Sequence, residues 1–191
     1  CCTNKGGTQM AITTADILWK LSSSTATAGN TDAQTQVNNS LGKYISTTQI
    51  TDAALNNLFD DVSGDDNAAS EVEYRCFFVH NAHATLPWTT CYMWLSAETA
   101  GGANAALNYD GTGARPVGTT LQQAGTVTNE DTAPSGTGTA WSTATTKATG
   151  VLLGTIGAGS CIAIWMRRSA TNSTAVDSDD ATCRIEGDSA A

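Results

Sequence analysis

Every second residue is apolar or aromatic along Val72, Tyr74, Cys76 and Phe78, and the same spacing returns in Cys91, Met93 and Leu95. Side chains alternate between the two faces of a strand, so each set lines one face, and residues 71–81 and 88–96 both read as strands. They are rich in the β-branched and aromatic residues that fit a pleated surface, and the polar stretch between them closes on Pro87. The pattern predicts two neighbouring antiparallel strands that pair with each other and cover one side of a hydrophobic core.

Elsewhere the pattern comes in shorter runs. Ile17, Leu18, Trp19 and Leu21 predict a first strand, and Tyr44, Ile45 and Ile50 a second. Further strands are expected at residues 105–109, near Leu121 and Val127, and at residues 150–156, 160–168 and 181–187. Thr51 or Asp52 can cap a short helix over residues 53–59, where Leu55, Leu58 and Phe59 share a side, and an acidic loop follows at residues 60–66. Residues 22–39 are polar and of low complexity, which reads as an extended arm that buries little. Roughly seven to nine short strands with one short helix make an all-β chain, a single β-sandwich of immunoglobulin-like or jelly-roll type. Its expected divisions are residues 1–9 as a non-native leader, 10–41 as an N-terminal strand and arm, and 42–191 as the sandwich domain.

The leader reading rests on Lys5, Gly6, Gly7 and Thr8, the residues that a purine-rich bacterial ribosome-binding sequence yields on translation, with Met10 as the initiator behind them. A length of 191 residues supports one core that needs no disulfide staples. With 9 Lys and Arg against 18 Asp and Glu, the net charge of −9 disfavours a phosphate backbone, and Arg167 and Arg168 are the single adjacent basic pair. Nucleic acid is therefore not an expected partner. No apolar run approaches the roughly 18 residues a spanning helix needs, so neither is a membrane. Cys76, Cys91, Cys161 and Cys183 lack the close spacing of a zinc clamp and fall inside predicted strands, where they read as free, buried thiols. A bridge between Cys76 and Cys91 is conceivable across paired strands, but assembly in a cytoplasm keeps such thiols reduced.

Candidate chemistry is sparse. Asp60, Asp61, Asp65 and Asp66 offer oxygen ligands of the kind calcium takes, yet without the spacing of a calcium-binding loop, and a solvated acidic turn is the expectation; residues 177–180 form a second acidic turn read the same way. His80 and His83 have the H-x-x-H spacing but no acidic or thiol ligand nearby, and read as loop-surface histidines. No nucleophile elbow, phosphate-binding loop or dinucleotide fingerprint occurs. The expectation is a protein without catalytic residues or cofactor.

One segment carries a family likeness. Leu58, Phe59, Asp60, Asp61, Val62, Ser63 and Gly64, followed by Glu73, Tyr74, Arg75 and Cys76, resemble a pattern in small structural proteins of tailed bacteriophages, as do Ile164, Trp165, Met166, Arg167 and Arg168 near the C-terminus. The likeness covers about two thirds of the chain, in the sense of a family defined by virion association. It implies a component of the virion assembled in the host cytoplasm, of capsid decoration type, that binds the major capsid protein lattice by the avidity of many copies. It also implies self-association, with a trimer suggested by family analogy. Expected contact residues are Thr25, Asn30, Asp32 and Asn38 on the arm, with Arg167 and Arg168 facing acidic groups of a neighbour. A tail, baseplate or fibre-attachment module is the alternative within that class. A carbohydrate-binding sandwich is the alternative outside it, and needs Trp88, Trp141 or Tyr109 exposed as a stacking platform.

Overall fold

The computed structural model describes residues 11–176 and 179–189. The leader reading and its initiator Met10 lie outside the described residues, as do Asp177 and Ser178 of the second acidic turn. The protein is an all-β sandwich. In chain order its strands are β1 (Ile17–Ser23), β2 (Tyr44–Gln49), β3 (Val72–Asn81), β4 (Trp88–Glu98), β5 (Asn104–Tyr109), the two-residue β6 (Arg115–Pro116), β7 (Val151–Ile156), β8 (Ser160–Ser169) and β9 (Ala181–Ser189). The first sheet runs β2-β1-β3-β8-β5, with β6 also on β8, and the second runs β7-β4-β9; all pairings are antiparallel.

β3 and β4 belong to different sheets, which corrects the expected pairing of these two segments. β3 pairs with β1 and β8, while β4 lies between β7 and β9. Residues 82–87 carry the chain from one sheet to the other, and the buried Asn81 side chain holds that crossing by donating to the carbonyls of Leu86 at 2.9 Å and Ile156 at 3.0 Å. The physical reason lies in β3 itself. Its run Cys76, Phe77, Phe78 and Val79 is buried without a break, so the strand needs cover on both faces. Phe77 and Val79 face β4 across the sandwich and pack with Met93, Leu95, Leu107 and Ile164 in the core between the sheets. Cys76 and Phe78 face away from it, into a second core with Ile45, Ala124, Val127 and Trp165.

Loops supply the cover over that second core. Residues 22–39 are not an extended arm: after β1 ends at Ser23 the chain folds back onto the body, with Ala26, Gln34 and Ser40 buried. Polar residues do this where apolar ones are scarce. The Gln34 amide donates to the carbonyls of Ser22 and Asn39, and Ser40 Oγ donates to the Cys76 carbonyl at 2.6 Å. No strand forms at Leu121 or Val127. Leu121 stands exposed, while Val127 packs into the second core from a loop whose contacts with the chain entering β2 include the bridge between Gly42 and Thr126 and hydrogen bonds to Leu41 and Lys43. Gly42 makes the approach possible: at φ +93° its Cα lies so close to the Gly125 carbonyl that a Cβ would meet it at 2.1 Å.

The helix is displaced from its expected place. Residues 53–59 form turns, and the α-helix α1 (Gly64–Ala69) instead begins within the expected acidic loop at residues 60–66. Ser63 caps it: its side chain accepts from the Asp66 backbone N–H, and Asp66 accepts in return from the Ser63 N–H at 3.0 Å. This reciprocal cap satisfies two backbone N–H groups at the start of α1, whereas Leu55, in the expected helix, is 83% exposed and among the described residues packs on nothing that would hold a helix there.

Candidate functional site

Charge collects at one end of β3, in a strand that is otherwise apolar. Glu73 and Arg75 share the strand face that carries Phe77 and Val79 further along, and both are buried. Register places Glu73 opposite Arg168 on β8, and the Arg168 Nε donates to Glu73 Oε2 at 2.7 Å. Asp60, from the turn before α1, sits between the two guanidinium groups, 3.6 Å from that of Arg75 and 3.5 Å from that of Arg168. Glu130 reaches in from the covering loops to accept from Arg75, and Arg168 also donates to the Asp60 backbone carbonyl. Phe59 lies against both cations, with ring-centre distances of 5.4 Å to Arg75 and 4.8 Å to Arg168.

Arg75 is fully buried, and charges removed from water persist only when paired. Here the two partners, Asp60 and Glu130, come from places far apart in the chain, so the pairing ties the turn at Asp60 and the loop at Glu130 to the sheet. Burial raises the pKa of Glu73, and the neighbouring Arg168 opposes that rise. Oxygens of Asp60, Glu73 and Glu130 lie within 4.8 Å of one another, close enough to surround a cation. The two guanidinium groups already occupy that role, and a divalent ion among them would meet their repulsion. The cluster is built as an internal fastening.

A second set of carboxylates adjoins it. Glu71 hydrogen-bonds Asp66 and Asp131, and this sharing raises its pKa to about 7. Asn38, Leu41, Glu130 and Asp131 border a shallow cavity of about 240 Å³ beside the fastening.

The four aspartates weighed as calcium candidates take separate roles. Asp60 joins the arginines, Asp66 caps α1, and Asp61 and Asp65 are exposed to solvent. Among the expected contact residues, Thr25 and Asp32 are exposed, and the Asp32 carbonyl accepts from Thr47 N–H at 2.8 Å. Asn30 accepts from the Lys20 ammonium at 2.7 Å, and Asn38 donates to Asp60 Oδ2 at 2.9 Å. Arg168 is committed to Glu73 and Asp60 within its own chain, and Arg167 lies over the Trp141 ring at 5.3 Å. The sequence pattern assigns Glu73 and Arg75 no site role and does not single out Glu130; two opposite charges inside a core strand are the available signal.

His80 corrects the reading of loop histidines, since it lies within β3, opposite Leu18 and Cys161, and burial lowers its pKa to about 4. The His83 Nδ1 accepts from the Thr85 and Leu86 N–H groups and shapes the crossing turn. Cys76 and Cys91 lie in separate cores, so the sheets keep them apart; both are free and buried, and burial pushes the Cys91 thiol up to about 12. Of the three rings that a sugar platform needs, Trp88 is in the inter-sheet core, and Trp141 packs on Tyr74 with centroids 5.5 Å apart. Tyr109 is half-buried against Gly138. No helix among the described residues is long and apolar enough to cross a membrane. Comparison with protein-family models, curated proteins and solved structures finds no match.

Proposed function

We propose that this chain is a non-enzymatic structural component of a tailed-bacteriophage particle, seated on the head as a decoration protein over the major capsid protein lattice. The observation that supports this reading is where the resembling residues lie. Phe59, Asp60, Glu73, Arg75 and Arg168 all belong to the fastening that locks covering loops onto the first sheet. A motif spent on rigidity suits a protein whose work is to present a fixed surface, and a sandwich clad in ordered loops presents one.

The folded segment at residues 22–39 changes how such a protein would attach. Contacts would come from the outer side of the packed loops, where Thr25 and Asp32 are exposed, with little ordering entropy to overcome on docking. Immunogold labelling of purified, intact particles with an antibody raised against the folded chain tests the proposal. Gold spread over the head is the expected outcome. Gold confined to the tail would transfer the protein to the tail or baseplate, and unlabelled particles with accessible surfaces would remove it from the virion.

A further inference from the structure

Two sheets have four outer edges, and three of these are blunted. The edge of β2 is taken by a loop, with Asn30 N–H donating to the Ile45 carbonyl at 2.6 Å and Thr47 N–H to that of Asp32 at 2.8 Å. On β5, Leu107 and Ser142 exchange backbone hydrogen bonds of 2.8 and 2.9 Å, which closes that edge. β7 has six residues and is interrupted by Gly154 at φ +79°. β9 differs on every count. It runs for nine residues, holds neither lysine nor proline, and among the described residues its backbone pairs with β4 alone. Such an edge is a template for another strand.

What lies beside the edge indicates the character of that strand. Half-buried Ile12, Ile17, Trp19, Cys183 and Ile185 border a groove of about 360 Å³, so apolar surface of the first sheet continues past the place where the second sheet stops. An added strand must therefore be apolar on its inner face and polar on its outer face. β9 has this pattern itself, with Ala181, Cys183 and Ile185 inward and Thr182, Arg184, Glu186 and Asp188 outward.

We propose that β9 pairs with β9 of a second copy of this chain, antiparallel about a two-fold axis at Ile185, joining two three-stranded sheets into one continuous sheet. Charge complementarity selects that occupant and that register. With Ile185 on the axis, Arg184 of each copy lies directly opposite Glu186 of the other, and symmetry makes the pair twice. Arg184 is exposed and has no ion pair among the described residues. Glu186 contacts Lys147 at 2.5 Å through Oε1 and remains 58% exposed, which leaves Oε2 for the arginine. On the inner side, Cys183 and Ile185 of the second copy come to lie over the groove. Gly187 fits the same strand to β4, because a Cβ there would meet the Thr89 carbonyl at 2.8 Å. The inference concerns the isolated chain and does not rest on the particle reading.

Sedimentation velocity of the full chain over a range of concentrations tests it. The expected species has twice the 19.7 kDa chain mass. Arg184→Glu and Glu186→Arg should each raise the dissociation constant by about tenfold or more, since one substitution creates two like-charge pairs across the axis. Combining them in one chain should restore the dimer. Lys147→Ala, which removes only the intrachain partner of Glu186, should leave it intact. A monomer at every concentration, the result if another segment takes the edge, overturns the proposal. So does a trimer, or a dimer indifferent to both single exchanges.

Discussion

Over residues 76–79 both faces of β3 are buried, and they are built on different principles. Toward β4, the core is strand against strand: Phe77 stacks on Trp19 at 5.4 Å, and apolar side chains from both sheets close around the pair. On the opposite face a sheet meets loops, and the loops bring backbone polar groups that burial would otherwise orphan. Buried polar side chains satisfy them. Asp110 accepts from Trp165 Nε1 at 3.0 Å, from Gly125 N–H at 2.8 Å and from Thr112 N–H at 3.0 Å. Gln123 accepts from Ile45 N–H at 2.9 Å and donates to the carbonyls of Pro116 and Val117. A core can therefore be closed by irregular chain, provided a few polar residues are buried to hold that chain in place.

If both faces are true cores, truncation should cost alike on each. Phe77→Ala and Phe78→Ala are each expected to destabilise by about 3–5 kcal/mol in denaturant titrations. A cost below about 1 kcal/mol for Phe78→Ala would return that face to the surface. Asp110→Ala should come next. It orphans the Trp165 indole and the Gly125 amide, at about 1–3 kcal/mol for each buried group left unpaired, and a red-shifted tryptophan emission should report water reaching Trp165. Arg75→Met should cost less than a wholly buried pair would, near 1–2 kcal/mol, because Asp60 and Glu130 are 43% and 33% exposed and water can take them over. Titrating the same variant in rising salt should narrow its difference from wild type.

The smallest effect is one of pH. Glu71 has its folded pKa raised from 4.5 to about 7, so its proton is bound more tightly in the folded state. The stability it contributes is complete below about 4.5 and is lost as pH rises through about 7. Glu71→Gln keeps a hydrogen-bond donor and removes the charge. Thermal melts at pH 5 and pH 8 should therefore show a smaller fall in Tm for the variant than for wild type; an equal fall would mean that Asp66 and Asp131 do not share the Glu71 proton.

The same contrast explains what could be read from the sequence. Period-two patterning located the strands, since a residue and its neighbour two positions away report one face whatever lies opposite. That rule does not say which sheet faces which. Cys76 and Phe78 looked like partners of Met93 and Leu95, but the run at residues 76–79 is apolar at every position and assigns neither face. The loop layer was harder still. Gln123 and Ile45, or Asp60 and Arg168, meet across long stretches of chain, and a lone polar residue in a Ser- and Thr-rich loop gives no sign that it will be buried. Residues 22–39 read as an arm for this reason: their anchors are Gln34, Ser40 and backbone groups, which no hydrophobic pattern reveals. The helix moved because Ser63 and Asp66 form a better cap than Thr51 or Asp52.

The central claim is that the loops over the first sheet are part of its core and fold with it. Residue-resolved amide hydrogen exchange tests this most directly, at Ile45 N–H on Gln123 and Gly125 N–H on Asp110, with Phe77 N–H in the middle of β3 as the reference. Protection at both sites within about tenfold of Phe77 is the predicted result, as expected of one cooperative unit. Exchange of Gly125 at the rate of an exposed loop, with Phe77 still protected, would contradict it.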